Sequence, residues 1–473
     1  MLSEGKVIGV EHYTEILSDF VFSLKYVDLP RETVENTKRV VLDWYSASFA
    51  GMRVNGGFNA LVKSVAVNAG QGNASVLCDR NGRYSEADAA FMNAVYAHGA
   101  DMDDGNRLSM GHIAASVVSA ALAVAENEDL KRGRLFTGEE IIVAINAGYE
   151  IFNRVAAAAQ PGLVRRGFHS TGTAGGMACA AAVAKLLGLD RVGIYRAISL
   201  AALQSGGLII IAESGQSAKP LNPANAARIG IMSARMAEKG ASAPMYPLES
   251  EKGWFHAMTD TVNEKYILDG LGKRFTVDEG YLKPYPSCRH THAPIQCALS
   301  LRRMAEGVYC DIPFEDIVSI SVYTYENAIR IAGRIDVPKT AEDTKFSIQY
   351  AIAHALVNGN FGLDTLTHAA VTDKVVDVAR RIRLIPAPEM EQGDKGIRGA
   401  RVQLLFGDGK RLEETALVPK GDAASPLSDD EIKAKLFACS EGILTPSDAD
   451  TLLRRAYELE NGEFRGVNQL IYG

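Results

Sequence analysis

Two runs, "IAASVVSAALAVAE" (113–126) and "GTAGGMACAAAVAKLL" (172–187), contain almost only small or apolar side chains. Helices of this kind are apolar all round and must be buried on every side. Their alanines and glycines let neighbouring helices approach closely. Similar periodicity fills residues 10–270, in "RETVENTKRVVLDWYSASFAG", "GEEIIVAINAGYEIFNRVAAAA", "DRVGIYRAISLAALQSGG" and "NPANAARIGIMSARMAEKGASAP". Gly51 is expected to stop the first of these. "SEADAAFMNAVYAHGADMDD" opens with a serine-x-x-acid cap. A large helical domain over residues 1–275 is the expectation. With 473 residues the chain has room for two or three domains.

After about residue 275 the texture changes. "DIVSISVYTY" and "ARVQLLFGDGKRLEETALV" alternate as strands do, the second around a "GDGK" turn. "THAPIQCALSLRRMAEG" and "DTKFSIQYAIAHALVNGNFG" read as helices between them. The expected class is mostly α with an α+β part over 276–424. Residues 425–473 return to helical patterns, which leaves open a return to the first domain.

Net charge is −7, so no basic face for nucleic acid is expected, and an anionic ligand must be met by local cations. No stretch approaches 18 apolar residues, so no membrane span is expected. The N-terminus, "MLSEGKVIGVEHYTEILSDFVFSL", carries charges throughout and lacks a signal-peptide core. The six cysteines form no C-x-x-C pair, which argues against a zinc site or redox dithiol. Cys179 and Cys297 read as core residues. A cytoplasmic location is the default expectation.

"AHGADMDDGNRLSMGH" (97–112) packs Asp101, Asp103 and Asp104 into four positions, with His98 and His112 at its ends. Carboxylates beside an apolar core are costly unless they face something polar. Other polar residues stand where helices begin. His112 and His169 each precede a helical run. Asn222 is expected to cap a helix with Pro223 at its first position and Lys219 just upstream. Lys283, Cys288, Arg289, His290 and His292 lead into another. Helix N-termini carry unpaired N–H groups and about half a positive charge, which suits anions. Histidine suits proton transfer near neutrality. Tyr350, on the same expected helix face as Phe346 and His354, can bring a hydroxyl to this pocket. No nucleophile elbow, phosphate loop or dinucleotide glycine pattern is present. The residues alone reach a small-anion site at helix mouths. They leave open a metal-dependent hydrolase using Asp101, Asp103, Asp104 and His112, and a non-catalytic helical interaction protein.

Taken in order, "AHGADMDD...GH", "GFHSTGTAGGMACAAAVAKLLGLD", "SGQSAKPLNPANAARIG", "KPYPSCRHTHAPI", "KFSIQYAIAHAL" and "VPKGDAASPLS" resemble the MmgE/PrpD family. The family includes 2-methylcitrate dehydratases, cis-aconitate decarboxylases and an iminodisuccinate epimerase. The resemblance implies a helical domain built from both chain ends, with a smaller α/β lid domain inserted. It implies a homodimer without metal or organic cofactor, acting on a small di- or tricarboxylate next to a carboxylate. Dehydration of a 2-methylcitrate-like acid is the leading reaction, with epimerisation or decarboxylation as alternatives. Carried over by motif, the catalytic set is Asp101, His112, His169, Lys219, Lys283 and Tyr350. Lys219, Lys283, Cys288, Arg289 and His292 are the expected substrate contacts. Decarboxylase-like members carry histidine where Cys288 stands, and relatives often carry it where Asn222 stands.

Overall fold

The computed structural model describes residues 12–213, 217–309, 312–392 and 397–472. The readings made on residues 1–11, on Cys310 and on the start of "SGQSAKP" (214–216) lie outside them.

Two hydrophobic cores organise the chain. The larger runs from Tyr13 to Val277 and resumes from Leu427 to Ile471. The smaller runs from Ala293 to Ala416. A helical domain thus takes both ends of the chain, and an α/β domain is inserted between them. The helical domain is a close-packed set including Arg31–Val54, Glu86–His98, Ala114–Arg132, Gly138–Ala158, Gly175–Leu186 and Leu221–Glu238. Asp429–Ser440 and Pro446–Tyr457 complete it against Arg31–Val54. Among the described residues no helix is long and apolar enough to cross a membrane.

Gly51 does not stop its helix as expected. The helix continues to Val54, because Gly51 serves a crossing rather than a stop. A Cβ at Gly51 would lie 1.9 Å from the Tyr96 carbonyl oxygen and 3.2 Å from Gly99 Cα. Two backbones meet there, and only glycine on both sides permits it. Ser85 does cap Glu86–His98, accepting from the Asp88 N–H.

The inserted domain carries a four-stranded sheet in the spatial order 382–386, 317–324, 400–406, 411–416. The first pair is parallel and the other two antiparallel. "GDGK" closes the last hairpin, with Gly409 at φ +86°. Helices His292–Val308 and Ile348–Asn358 pack together, the first also covering the last two strands.

Candidate active site

The helix Glu86–His98 delivers the chain into the acidic loop, and three lysines hold that loop by three of its carbonyls. Lys345 donates to Gly99 O at 3.0 Å, Lys283 to Asp101 O at 2.8 Å and Lys435 to Met102 O at 2.7 Å. Asp101 sits in the left-handed region, at φ +52°, a conformation that persists only when its surroundings impose it. One oxygen, Oδ1, accepts from Lys219 at 2.8 Å and from Lys283 at 2.7 Å. Burial opposes its ionisation, but the two ammonium groups prevail and hold the carboxyl well below the ordinary range.

The three aspartates, alike in sequence, have different fates. Asp103 Oδ2 lies 2.7 Å from His98 Nδ1 and 3.6 Å from His112 Nδ1. Burial raises its pKa, yet those two imidazoles bring it far below normal. Asp104 turns away from the loop's other carboxylates. Its Oδ2 accepts from the Tyr149 hydroxyl at 2.6 Å and its Oδ1 from the Ala114 N–H at 2.9 Å, at the start of the buried helix. Burial, with the charge of Asp103, pushes this carboxyl up to about 7.

Three imidazoles cluster beside Asp101. The rings of His98 and His112 are 4.7 Å apart, and each lies 6.5 Å from His169. Burial lowers the pKa of all three, and the charge of Lys219 works in the same direction. They are therefore neutral near pH 7. Their hydrogen bonds then assign the ring protons. His112 Nδ1 is 2.7 Å from the Asp104 carbonyl oxygen, which only accepts, so the proton is on Nδ1 and Nε2 is a free base. His169 Nδ1 is 2.8 Å from the Asn222 amide nitrogen, which donates, so the proton is on Nε2. Asn222 is thus not the expected cap. The helix starts at Leu221 after Pro220, with Asn222 already inside it and Pro223 third rather than first.

Asp101, His112 and His169 line a small cavity of about 120 Å³ between the two domains, with His98 behind them. Lys219, Lys283, Arg289, Arg330 and Arg398 face it against the single carboxylate of Asp101. In a chain of net charge −7 this is a local inversion of sign. Cys288 and His290 also line it. The guanidinium of Arg289 is shared with the backbone oxygens of Pro419 and Lys420.

Two expected residues are not brought to the cavity. Tyr350 is wholly buried in the core of the inserted domain, and its hydroxyl donates to Thr365 O at 2.8 Å. Its helix begins only at Ile348, with Ser347 as cap, so Phe346 precedes the helix and the two rings diverge. Phe346 does reach the cavity. His292 lies behind Arg289. It accepts from that guanidinium at 3.2 Å and holds Ser287 O through its other nitrogen. His98, Tyr281, Arg330 and Arg398 were not among the candidates. Only His98 had a sequence signal, as the residue closing the helix before the acidic loop.

Among the described residues, His98, Asp101, Asp103 and His112 come nearest to a metal site, with one ligand atom of each within 4.8 Å of the others. Asp104, part of the hydrolase alternative, has both oxygens engaged elsewhere. A divalent cation on Asp101 Oδ1 would meet two ammonium groups already bound there. This donor set fits lysine better than metal.

Residues 15–266 match the MmgE/PrpD N-terminal domain and residues 285–459 the MmgE/PrpD C-terminal domain. A cis-aconitate decarboxylase-like protein, oryM, of Aspergillus oryzae is 27% identical over 93% of this chain and 92% of its own length. The cis-aconitate decarboxylase of Homo sapiens is 24% identical over 95% and 92%. That of Aspergillus terreus is 24% identical over 86% and 85%.

Proposed function

Because the chain belongs to the MmgE/PrpD family, we propose that it is a lyase of small di- or tricarboxylates that needs no metal or organic cofactor. The observation that carries this reading is the pairing of opposite imidazole tautomers, His112 and His169, beside two lysines in one cavity. The leading reaction is dehydration of a 2-methylcitrate-like hydroxy acid. Nε2 of His112 takes the proton from the carbon next to a carboxylate. The C–H electron pair forms the double bond as the C–O bond breaks. His169 Nε2–H gives its proton to the departing hydroxide, which leaves as water. Lys219 and Lys283 offset the charge that develops on the substrate carboxylate. Asp101 fixes both ammonium groups. Each proton transfer of this kind contributes roughly a hundred- to ten-thousand-fold in rate.

A second reading comes from the relatives, two of which are named as cis-aconitate decarboxylases and one as a cis-aconitate decarboxylase-like protein. There the C–C bond to a carboxylate breaks, carbon dioxide leaves, and the carbanion takes a proton from His169. That reaction needs the acid and leaves the base without a task, so the paired tautomers favour elimination.

The test is incubation in D₂O with citrate, 2-methylcitrate, cis-aconitate and iminodisuccinate, each followed by NMR. Vinyl signals with loss of water support dehydration. Loss of carbon dioxide from cis-aconitate selects the second reading. Exchange without net conversion overturns the lyase assignment in favour of an epimerase.

A further inference from the structure

Tyr281 lies where the chain crosses from the helical domain into the inserted one. It pairs with Gly105 through both backbone hydrogen bonds, at 3.0 and 2.8 Å. Its side chain folds back across that same glycine. A Cβ at residue 105 would lie 2.4 Å from the phenol oxygen and 2.5 Å from Cζ. The ring can therefore occupy this place only because residue 105 has no side chain. Above it stacks the Arg289 guanidinium, 4.5 Å from the ring centroid.

The phenol is placed as though awaiting a ligand. The residue is only 7% exposed, yet its hydroxyl is not one of the sealed, partnerless polar atoms of the core, and the residue lines the cavity. A phenol that keeps open surface in a cavity has a donor to offer a bound ligand. The ring is a wall shared by the substrate cavity and a second cavity behind it. Arg289, Arg398 and Asp101, whose charges act on the hydroxyl, all line the substrate cavity. Burial holds its pKa well above the ordinary value, so it remains a donor at neutral pH.

We propose that the Tyr281 hydroxyl donates a hydrogen bond to a carboxylate of the bound substrate, and that Gly105 is the position that admits it. This rests on the reading of the cavity as a polycarboxylate site. No proton is transferred in this contact, so it acts on affinity.

Calorimetric titration and steady-state kinetics with citrate, 2-methylcitrate and cis-aconitate test it, on wild type, Tyr281→Phe and Gly105→Ala. Tyr281→Phe keeps the ring and its stacking on Arg289. It should bind the acid that wild type binds roughly 10- to 100-fold more weakly, with KM raised to match and kcat little changed. Gly105→Ala retains the hydroxyl but displaces it, and should lose a similar factor. The double variant should be no worse than the worse single one. Wild-type affinity and KM in Tyr281→Phe would overturn the contact while leaving the functional reading intact. If wild type neither binds nor converts any of the acids, the functional reading fails and the contact fails with it.

Discussion

Asp104 should make this protein less stable as the pH rises toward neutrality, and Asp104→Asn should remove that dependence. The carboxyl is buried and titrates at about 7 in the folded chain. In the unfolded chain it titrates near ~3.9. Below pH ~4 both states hold the proton. Between there and about 7 the unfolded chain releases it and the folded one keeps it, so rising pH favours unfolding. Above that the effect levels off. The gap is worth roughly 4 kcal/mol at most. Asparagine has the same shape. It can accept from the Ala114 N–H with its oxygen and donate to the Tyr149 hydroxyl with its amide, replacing both contacts. Melting temperatures at pH 5, 6, 7 and 8 should therefore diverge, wild type falling relative to the variant until about pH 7. Difference infrared spectra should show a protonated carboxyl that disappears between pH 6 and 8 in wild type and is missing in Asp104→Asn. Parallel melting profiles for the two proteins would refute the reasoning.

Lys283→Met leaves Asp101 with Lys219 alone and its own carbonyl without a donor. It should cost about 3–5 kcal/mol in denaturant unfolding and abolish turnover in the NMR assay. Tyr350→Phe breaks only the bond to Thr365 O. It should cost about 1–2 kcal/mol and leave kcat and KM unchanged; a large drop in kcat would place the phenol in the chemistry after all. Gly51→Ala drives a methyl into the Tyr96 carbonyl; it should lower the unfolding free energy by about 3 kcal/mol or more in denaturant titration, with melting temperature and soluble yield falling accordingly. Dialysis against a chelator should leave turnover intact, whereas its loss would revive the metal hydrolase.

What was legible in the sequence was local or compositional. A serine cap is set by residues three apart, and the "GDGK" hairpin closes within four. Lys219, Lys283, His112 and His169 could be picked out because polar residues beside apolar helical runs need a reason to be there. They do meet in one cavity. What failed depended on long-range partners. Gly51 looked like a stop because a close approach and a helix end both call for glycine. Three aspartates looked alike because nothing nearby distinguishes the one facing lysines from the one facing Tyr149. Tyr350 was placed by helical spacing, yet its helix starts two residues after Phe346. Arg330, Arg398 and Tyr281 belong to no local pattern, and only the tertiary fold brings them to the cavity.

The acidic loop shows why the site belongs to the whole chain. It follows directly on the C-terminus of Glu86–His98, an end that carries partial negative charge and disfavours carboxylates. The compensating cations come from three other regions. Lys345 lies in the inserted domain, Lys283 on the segment leading into it, and Lys435 on the returning C-terminal helix, where it also pairs with Asp43. Each takes a carbonyl of the loop that would otherwise be buried without a donor, a loss of about 1–3 kcal/mol apiece. Residues 15–266 alone would keep both histidines and Asp101 but none of these three lysines. With no clamp on Gly99, Asp101 or Met102, the left-handed backbone at Asp101 would keep only Lys219 on its carboxylate and its own N–H on His98 O. The base, the acid and Lys219 could then persist in the helical domain while the three-lysine clamp on the loop did not.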